Sequence, residues 1–513
     1  MAGWIAGLLM TLPMVFPCAF QATNPVTPTE RKVESPEIAG IWLGTISTGV
    51  LDLRLGFEFI PTQGGGFIGK MTSIDQGGVA LPCSVQWKGE KLTVSVGFGL
   101  ALFSGKRNSS GNIEGEFEQN GQKFPLVLAR VDKIPKLIRP QLPAKPYPYV
   151  VKEVTFKNEK AQVTLSGTLT VPDGNGPFPA VVLVSGSGPQ DRDETIFGHK
   201  PFLVIADHLA KKGIACLRYD DRGTAKSTGK HSLGTTGDFA DDAREALAFL
   251  KKQEGVDSAR VGICGHSEGG IIGPLVAWKY PGEVAFLVLL AGPGIPGEKV
   301  VRGQMGDFGR MQPGAEKLVE NQLELCKSLI PIAISAKSTP EAVEQMKAAA
   351  EKFEMDKGNS KPAADAIKPW TPLINQLSVP WMRWFLGYDP RVALEKVDCP
   401  VLALNGEKDL QVKPKENLTA IVEAFAGPRA TLLTTREFPG LNHLFQHCKT
   451  GGVSEYGQIE ETISPEVLDL MASWILGPKI PESQIQPRQR YSPLRKLRSL
   501  FPPGRMKPGF HQE

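Results

Sequence analysis

Residues Ala259 to Trp278 read ARVGICGHSEGGIIGPLVAW, an apolar run that breaks at Gly265-His266-Ser267-Glu268-Gly269 and then resumes. Val261, Ile263 and Cys264 fit a buried strand, and Ile271 to Trp278 fits a helix packed on a sheet. Glycine on both flanks leaves room for a sharp turn, where a side chain would crowd the neighbouring strand or backbone. Ser267 then falls at the tip of the turn, its hydroxyl above the sheet and beside the N–H groups of a helix N-terminus, which is the outline of a nucleophile elbow. The pentapeptide alone recurs by chance in a chain with 55 glycines, so its context decides: it occurs once, after a strand and before a helix.

A serine hydroxyl is a poor nucleophile near neutrality and needs a general base, an acid that orients the base, and donors for the oxyanion. Two later loops offer these groups. Gly406-Glu407-Lys408-Asp409 follows the apolar strand Val401 to Asn405, and Gly440-Leu441-Asn442-His443 follows a strand predicted over Ala430 to Phe438. Asp409 and Glu407 compete for the acid and His443 and His447 for the base, while His266 reads as a packed residue of the elbow.

Working outward, the strands on either side of the elbow build its sheet. Pro179 to Ser185 is a continuous apolar run suited to a strand buried on both faces, and Ile214 to Tyr219 and Ala285 to Ala291 are similar. Helical periodicity over Pro201 to Lys212, Asp238 to Lys252, Asn417 to Ala426 and Ser464 to Leu476 alternates with them, while Val151 to Phe156 and Val163 to Val171 form an antiparallel pair at the front. Alternating units of this kind imply an α/β fold with a mostly parallel sheet covered by helices on both faces, over residues 150–477. Gly292 to Arg391 interrupts the alternation with helical sequence, as a cap over the site would, although its Met and Trp at Pro380 to Trp384 also suit a simple core.

Residues 36–132 differ in character. Leu51, Leu53, Leu55, Phe57 and Phe59 alternate with polar residues, as do Leu92, Val94 and Val96, then Ile113 and Phe117, then Phe124, Leu126 and Leu128, with glycine turns between. The pattern predicts a small antiparallel β domain of about eight strands, barrel-like. Gly40-Ile41-Trp42 resembles the opening of lipocalin-like barrels, with Trp42 as an end plug. Residues 133–149 hold five prolines and read as a linker.

Composition is that of a globular chain, 41% apolar and 22% charged. The tail, 478–513, carries eight Lys and Arg against two Glu, six of surplus against a chain total of +4, so the rest stands at −2. The basic charge therefore belongs to a tail read as disordered, and no nucleic-acid partner is expected. Residues 1–22 contain the uncharged apolar run Trp4 to Phe16, broken by Pro13, and read as an export signal to the periplasm or outside, with a retained anchor or a misassigned start as the alternatives and no stable membrane association otherwise expected. The remaining six cysteines are even in number, which permits disulfides, but lack a framework spacing; no metal motif such as H-E-x-x-H occurs, and neither metal nor cofactor is expected.

Residues Val150 to Leu476 resemble the α/β-hydrolases, and in particular EstD-type bacterial carboxylesterases with a serine aminopeptidase S33-like domain. The resemblance rests on VSGSGPQDRDE (Val184 to Glu194), YDDRGTAKSTG (Tyr219 to Gly229), GHSEGG (Gly265 to Gly270), LNGEKDLQV (Leu404 to Val412) and NHLFQ (Asn442 to Gln446). The small β domain also looks like one found ahead of such hydrolases. The chain departs from the common pattern at Ser185-Gly186, where His-Gly is usual, and at Ala225, where a second glycine is usual. The resemblance implies Ser267 as nucleophile, His443 as base, Asp409 as orienting acid, and the backbone N–H groups of Ser187 and Glu268 as the oxyanion hole. It implies a small-molecule ester substrate. A serine aminopeptidase, with Glu316, Glu320 or Glu324 of the cap holding an ammonium, and a non-catalytic ligand-binding protein are the alternatives. Asp191, Arg192, Asp193, Asp221 and Arg222 either line the site or brace its loops.

Overall fold

Eight strands, β1 (Gly40–Ser47), β2 (Asp52–Pro61), β3 (Phe67–Ser73), β4 (Val79–Lys88), β5 (Lys91–Val96), β6 (Ala101–Arg107), β7 (Ile113–Gln119) and β8 (Gln122–Val131), each pair antiparallel with the next, and β1 returns to β8 through Ile41 opposite Val131. In the computed structural model, which describes residues 38–47, 52–97, 99–119, 121–310, 314–358 and 363–477, this is a closed barrel. The export signal predicted over 1–22 and the tail over 478–513 lie outside the described residues. Period-two alternation drives closure: Leu53, Leu55, Phe57 and Phe59 of β2 all turn inward, meeting Leu92, Val94, Phe103, Phe117, Leu126 and Leu128 in one apolar core. Trp42 is buried, donates its indole N–H to the Ile38 carbonyl at 2.9 Å, and has the Arg130 guanidinium 5.2 Å from its ring, which is the geometry of an end plug.

The linker carries no strand or helix up to Tyr149, yet it is pinned. Arg139 donates to the carbonyls of Phe197 at 2.7 Å, Gly457 at 2.9 Å and Ile459 at 3.1 Å, and the Gln141 amide oxygen accepts from Ile463 N–H at 3.1 Å. Prolines deny this stretch a ladder of its own, so it borrows partners from the domain that follows.

That domain contains β9 (Tyr149–Asn158), β10 (Val163–Pro172), β11 (Phe178–Val184), β12 (Ala215–Tyr219), β13 (Val256–His266), β14 (Leu287–Leu290), β15 (Val401–Gly406) and β16 (Leu433–Phe438), in the order β16-β15-β14-β13-β11-β12-β10-β9. From β12 to β16 the neighbours are parallel, and β9 and β10 close one edge in antiparallel fashion. Strand β11 shows why its sequence is apolar throughout: Ala180, Val182 and Val184 enter one core and Val181 and Leu183 the other. The first face is covered by α2 (Thr236–Leu250) and α3 (Gly269–Lys279), the second by α1 (Pro201–Lys211) and the closing helix Pro465–Leu476. Thr235 and Asp238 form a capping box that starts α2 two residues before the predicted Asp238. At the last strand the prediction is corrected: Gly427 has φ +74 and, with Pro428, turns 427–432 into a 3-10 segment, so β16 begins at Leu433 rather than Ala430.

The insertion after β14 is helical, with α4 (Gly297–Arg310), α5 (Glu316–Ser335), α6 (Thr339–Asp356), α7 (Thr371–Ser378) and α8 (Pro380–Gly387). Its Trp370, Trp381 and Met382 join the core shared with α2 and α3, so the cap is packed onto the elbow face. Cys83, Cys216, Cys264, Cys326, Cys399 and Cys448 are all free thiols. No helix among the described residues is long and apolar enough to cross a membrane.

Candidate active site

Strand β13 ends at His266, and Ser267 turns the chain with φ +54 while its N–H donates to the Leu290 carbonyl at 2.8 Å. Left-handed backbone is costly for a residue with a Cβ, by about 1–2 kcal/mol, and the surroundings hold it here. A Cβ on Gly265 would run into the Gly269 carbonyl, and one on Gly269 into the Val184 carbonyl, which is why only glycine fits the flanks. The Ser267 hydroxyl is buried and has no hydrogen-bond partner among the described residues.

His443 and Asp409 lie on the loops after β16 and β15, at the same C-terminal edge of the sheet as Ser267. The His443 Nδ1 stands 2.8 Å from Asp409 Oδ2. Asp409 Oδ1 accepts from Gln411 N–H at 2.8 Å and Val412 N–H at 2.9 Å, so the carboxylate is fixed as an acceptor and Nδ1 carries the proton. That leaves Nε2 as the basic nitrogen. Asn442 shapes the loop: its Oδ1 accepts from Leu444 N–H and Gln446 N–H, both at 3.0 Å. Burial pushes the His443 pKa below its ordinary value, against the opposing pull of Asp409.

The loop after β11 lies against the nucleophile, since a Cβ on Gly186 would sit 3.1 Å from that of Ser267. Ser187 follows Gly186 and is buried, as is Glu268. The Glu268 carboxylate accepts from Thr236 Oγ1 at 2.6 Å and Trp381 Nε1 at 2.7 Å, tying the elbow to α2 and to cap helix α8. With that side chain committed, the backbone N–H is what Glu268 can offer an oxyanion. Burial raises its carboxyl pKa.

The rival residues sit elsewhere. Glu407 Oε2 accepts from Gly440 N–H at 2.8 Å and His447 Nδ1 is 2.9 Å from Glu461, both pairs at the surface. Glu316, Glu320 and Glu324 are exposed on α5, opposite the buried Val319 and Leu325. The charged residues flagged around the site are braces: Arg192 binds Asp220 at 2.7 Å, Asp193 pairs with Arg218, Arg222 binds Asp242 at 2.6 Å, and Asp221 accepts from Ser185 Oγ and Gln190 N–H at 2.9 Å each. Only Asp191 is left to local turn bonding, accepting from Thr195 N–H at 2.9 Å.

Sequence reasoning missed two participants. Glu194, itself at φ +52, reaches His266 across 72 residues of chain, and Trp381 reaches Glu268 across 113. No spacing in the sequence announces either contact.

Comparison with known proteins follows the same ground. Residues 201–446 match the family described as serine aminopeptidase, S33. Esterase EstD of Thermotoga maritima is 31% identical over 276 residues, which are 54% of this chain and 62% of EstD. An uncharacterized 31.7 kDa protein of Escherichia coli is 24% identical over 263 residues, 50% of this chain and 82% of that protein. Among solved structures, an esterase of Pyrococcus furiosus covers 66% of this chain and 96% of its own, at 16% identity and a TM-score of 0.38. Sequence similarity falls on the sheet domain: the chain is similar to the serine aminopeptidase, S33 family over residues 201–446, and it spans less than two thirds of the length of EstD.

Proposed function

We propose that the protein hydrolyses carboxylic esters through an acyl-enzyme on Ser267. Ser267 Oγ attacks the acyl carbon while His443 Nε2 takes its proton; the C–O bond to the alcohol then breaks and the same proton passes to the departing oxygen. Water, deprotonated by His443, releases the acid in the second half. Asp409 holds the productive tautomer and stabilises the imidazolium, and the N–H groups of Ser187 and Glu268 receive the oxyanion, each donor contributing about 3 kcal/mol in such sites. The observation that carries this reading is the His443–Asp409 bond of 2.8 Å, set beside a buried serine in a left-handed turn whose hydroxyl has no hydrogen-bond partner among the described residues.

Two features favour a small ester over an N-terminal peptide. The carboxylates of α5 that an ammonium would need face solvent, and the cluster beside His443 and Asp409 is apolar, made by Phe308, Leu410, Leu444, Val453 and Tyr456. Amide cleavage is the second reading, because the matching family is described as an aminopeptidase.

The test is a panel of p-nitrophenyl acyl esters of increasing chain length beside aminoacyl p-nitroanilides. Esters should turn over and anilides should not, and Ser267→Ala should reduce ester turnover by at least about 10³-fold with unchanged circular dichroism. Anilide rates equal to ester rates, or a Ser267→Ala variant within about tenfold of the parent, would overturn the proposal.

A further inference from the structure

His266, beside the nucleophile, faces two acceptors. Its Nδ1 is 2.9 Å from Glu194 Oε1 and its Nε2 is 3.1 Å from the His443 backbone carbonyl. A neutral imidazole has a single N–H, so with Glu194 ionised both contacts are hydrogen bonds only when the ring carries two protons. The same Glu194 oxygen accepts from Gly186 N–H at 2.7 Å, one residue before Ser187. His266 and His443 lie with ring centroids 4.8 Å apart. One buried pair thus holds the loop of the base and the loop of the oxyanion donor together.

We propose that Glu194 keeps His266 as an imidazolium, and that this pair is a positioning device that fixes the His443 loop and favours the free-base form of His443. The inference rests on the proposed role of His443 as base. The groups bearing on His266 are Glu194 from the loop after β11, Asp409 and the Asp409-paired His443 from the loops after β15 and β16. Glu194 also faces the Cys264 thiol, which burial keeps protonated. Burial works against a charged His266, but the charge and hydrogen bond of Glu194 outweigh it and raise its pKa. The His443 pKa moves the other way, lowered first by burial and further by the His266 charge.

The sign of the test follows. His443 accepts the serine proton only when unprotonated. Replacing Glu194 with glutamine removes the carboxylate and with it the charge of His266; of that pair it is His266 that bears on the His443 pKa, so its discharge makes His443 easier to protonate. The acid limb of reactivity therefore moves to higher pH.

The experiment measures the pH dependence of Ser267 labelling by a fluorophosphonate, in which the serine Oγ–P bond forms, fluoride leaves and His443 takes the proton. The parent, Glu194→Gln and the double variant Glu194→Gln/His266→Gln are compared. The acid limb should rise by about one pH unit in Glu194→Gln and by the same amount in the double variant, because both lack the charged ring. The ring 15N shifts of His266 in the unmodified protein should report an imidazolium at pH 7. A neutral His266 ring there, or an unmoved acid limb in folded Glu194→Gln, overturns the proposal. Should the parent not label at Ser267, the reading of the triad fails instead, and the 15N shifts still decide the charge of His266.

Discussion

The barrel and the α/β domain are built to different tolerances. Among the described residues, every left-handed position of the barrel is a glycine, such as Gly65, Gly89 and Gly111, and its buried polar side chains are Ser73 and Asp75. The α/β domain places Gln162, Glu194, Phe197, Ala225, Ser267, Ala291 and Phe445 at positive φ and buries Ser267, His266, His443, Asp409, Glu194 and Glu268 in one region. Strain and buried polarity both oppose folding, and a domain that avoids them can be stable with little else to do. Where they gather, as on the loops after β11, β13 and β16, something other than stability has kept them. The barrel reads as support and the sheet edge as machinery.

The sharpest way to break that contrast is to remove one charge from the machinery without changing its shape. Asp409→Asn should lower ester turnover on the order of 10³- to 10⁴-fold, since an amide cannot stabilise the imidazolium and favours the wrong tautomer of His443. Glu407→Gln, which touches only Gly440 N–H at the surface, should stay within about tenfold. Steady-state kinetics on the two purified variants decides; a severe Glu407 variant with a mild Asp409 one would mean that the geometry at His443 does not carry the reaction.

Next in size is the support itself. Phe103 is fully buried, its ring 6.1 Å from Phe57, so Phe103→Ala opens a cavity worth about 3–5 kcal/mol in the barrel core. Denaturant unfolding followed at a barrel signal should shift to lower concentration by that amount, while ester turnover per folded molecule stays unchanged. A fall in turnover of folded protein would show that the barrel takes part in the site.

What the sequence made legible follows the same division. Alternation in Leu53 to Phe59 and the unbroken apolar run of β11 are local patterns, and each defined its strand because burial on one face or two is written in consecutive residues. The elbow was legible for a related reason: glycine at 265 answers a contact four residues on, at Gly269, while glycine at 269 answers the carbonyl of Val184 on the neighbouring strand. The order of Ser267, Asp409 and His443 was visible, and the choice of Asp409 over Glu407 came from the resemblance; the structure adds the 2.8 Å contact between Asp409 and His443. Long-range polar partners left no trace. Glu194 with His266, Trp381 with Glu268, and the carbonyls that hold Arg139 are matches of donor to acceptor across distant loops, and donors and acceptors are too common in a sequence for such pairs to stand out. The flagged ionic residues likewise proved to be braces only once their partners were seen.

The smallest expected effect tests whether strain in the α/β domain is confined to the residues of the proposed site. Ala225 sits at φ +46 in the loop after β12, close to Gly223 at φ +71. Left-handed backbone costs an L-residue about 1–2 kcal/mol, and glycine escapes that cost. Glycine gives back about 0.4–1 kcal/mol through the greater freedom of the unfolded chain. The difference favours Ala225→Gly by about 0.5–1 kcal/mol, read as a rise in the denaturation midpoint with unchanged slope. Gly223→Ala should act in the opposite direction, because its Cβ would meet His231 N at 2.7 Å as well as adopting the same unfavourable φ. If Ala225→Gly also preserves turnover, the strain there is idle, and the contrast narrows to the turns that hold Ser267, Glu194 and Phe445. If turnover falls while stability rises, the stiffness of Ala225 is used by the site, and the loop after β12 belongs with the machinery.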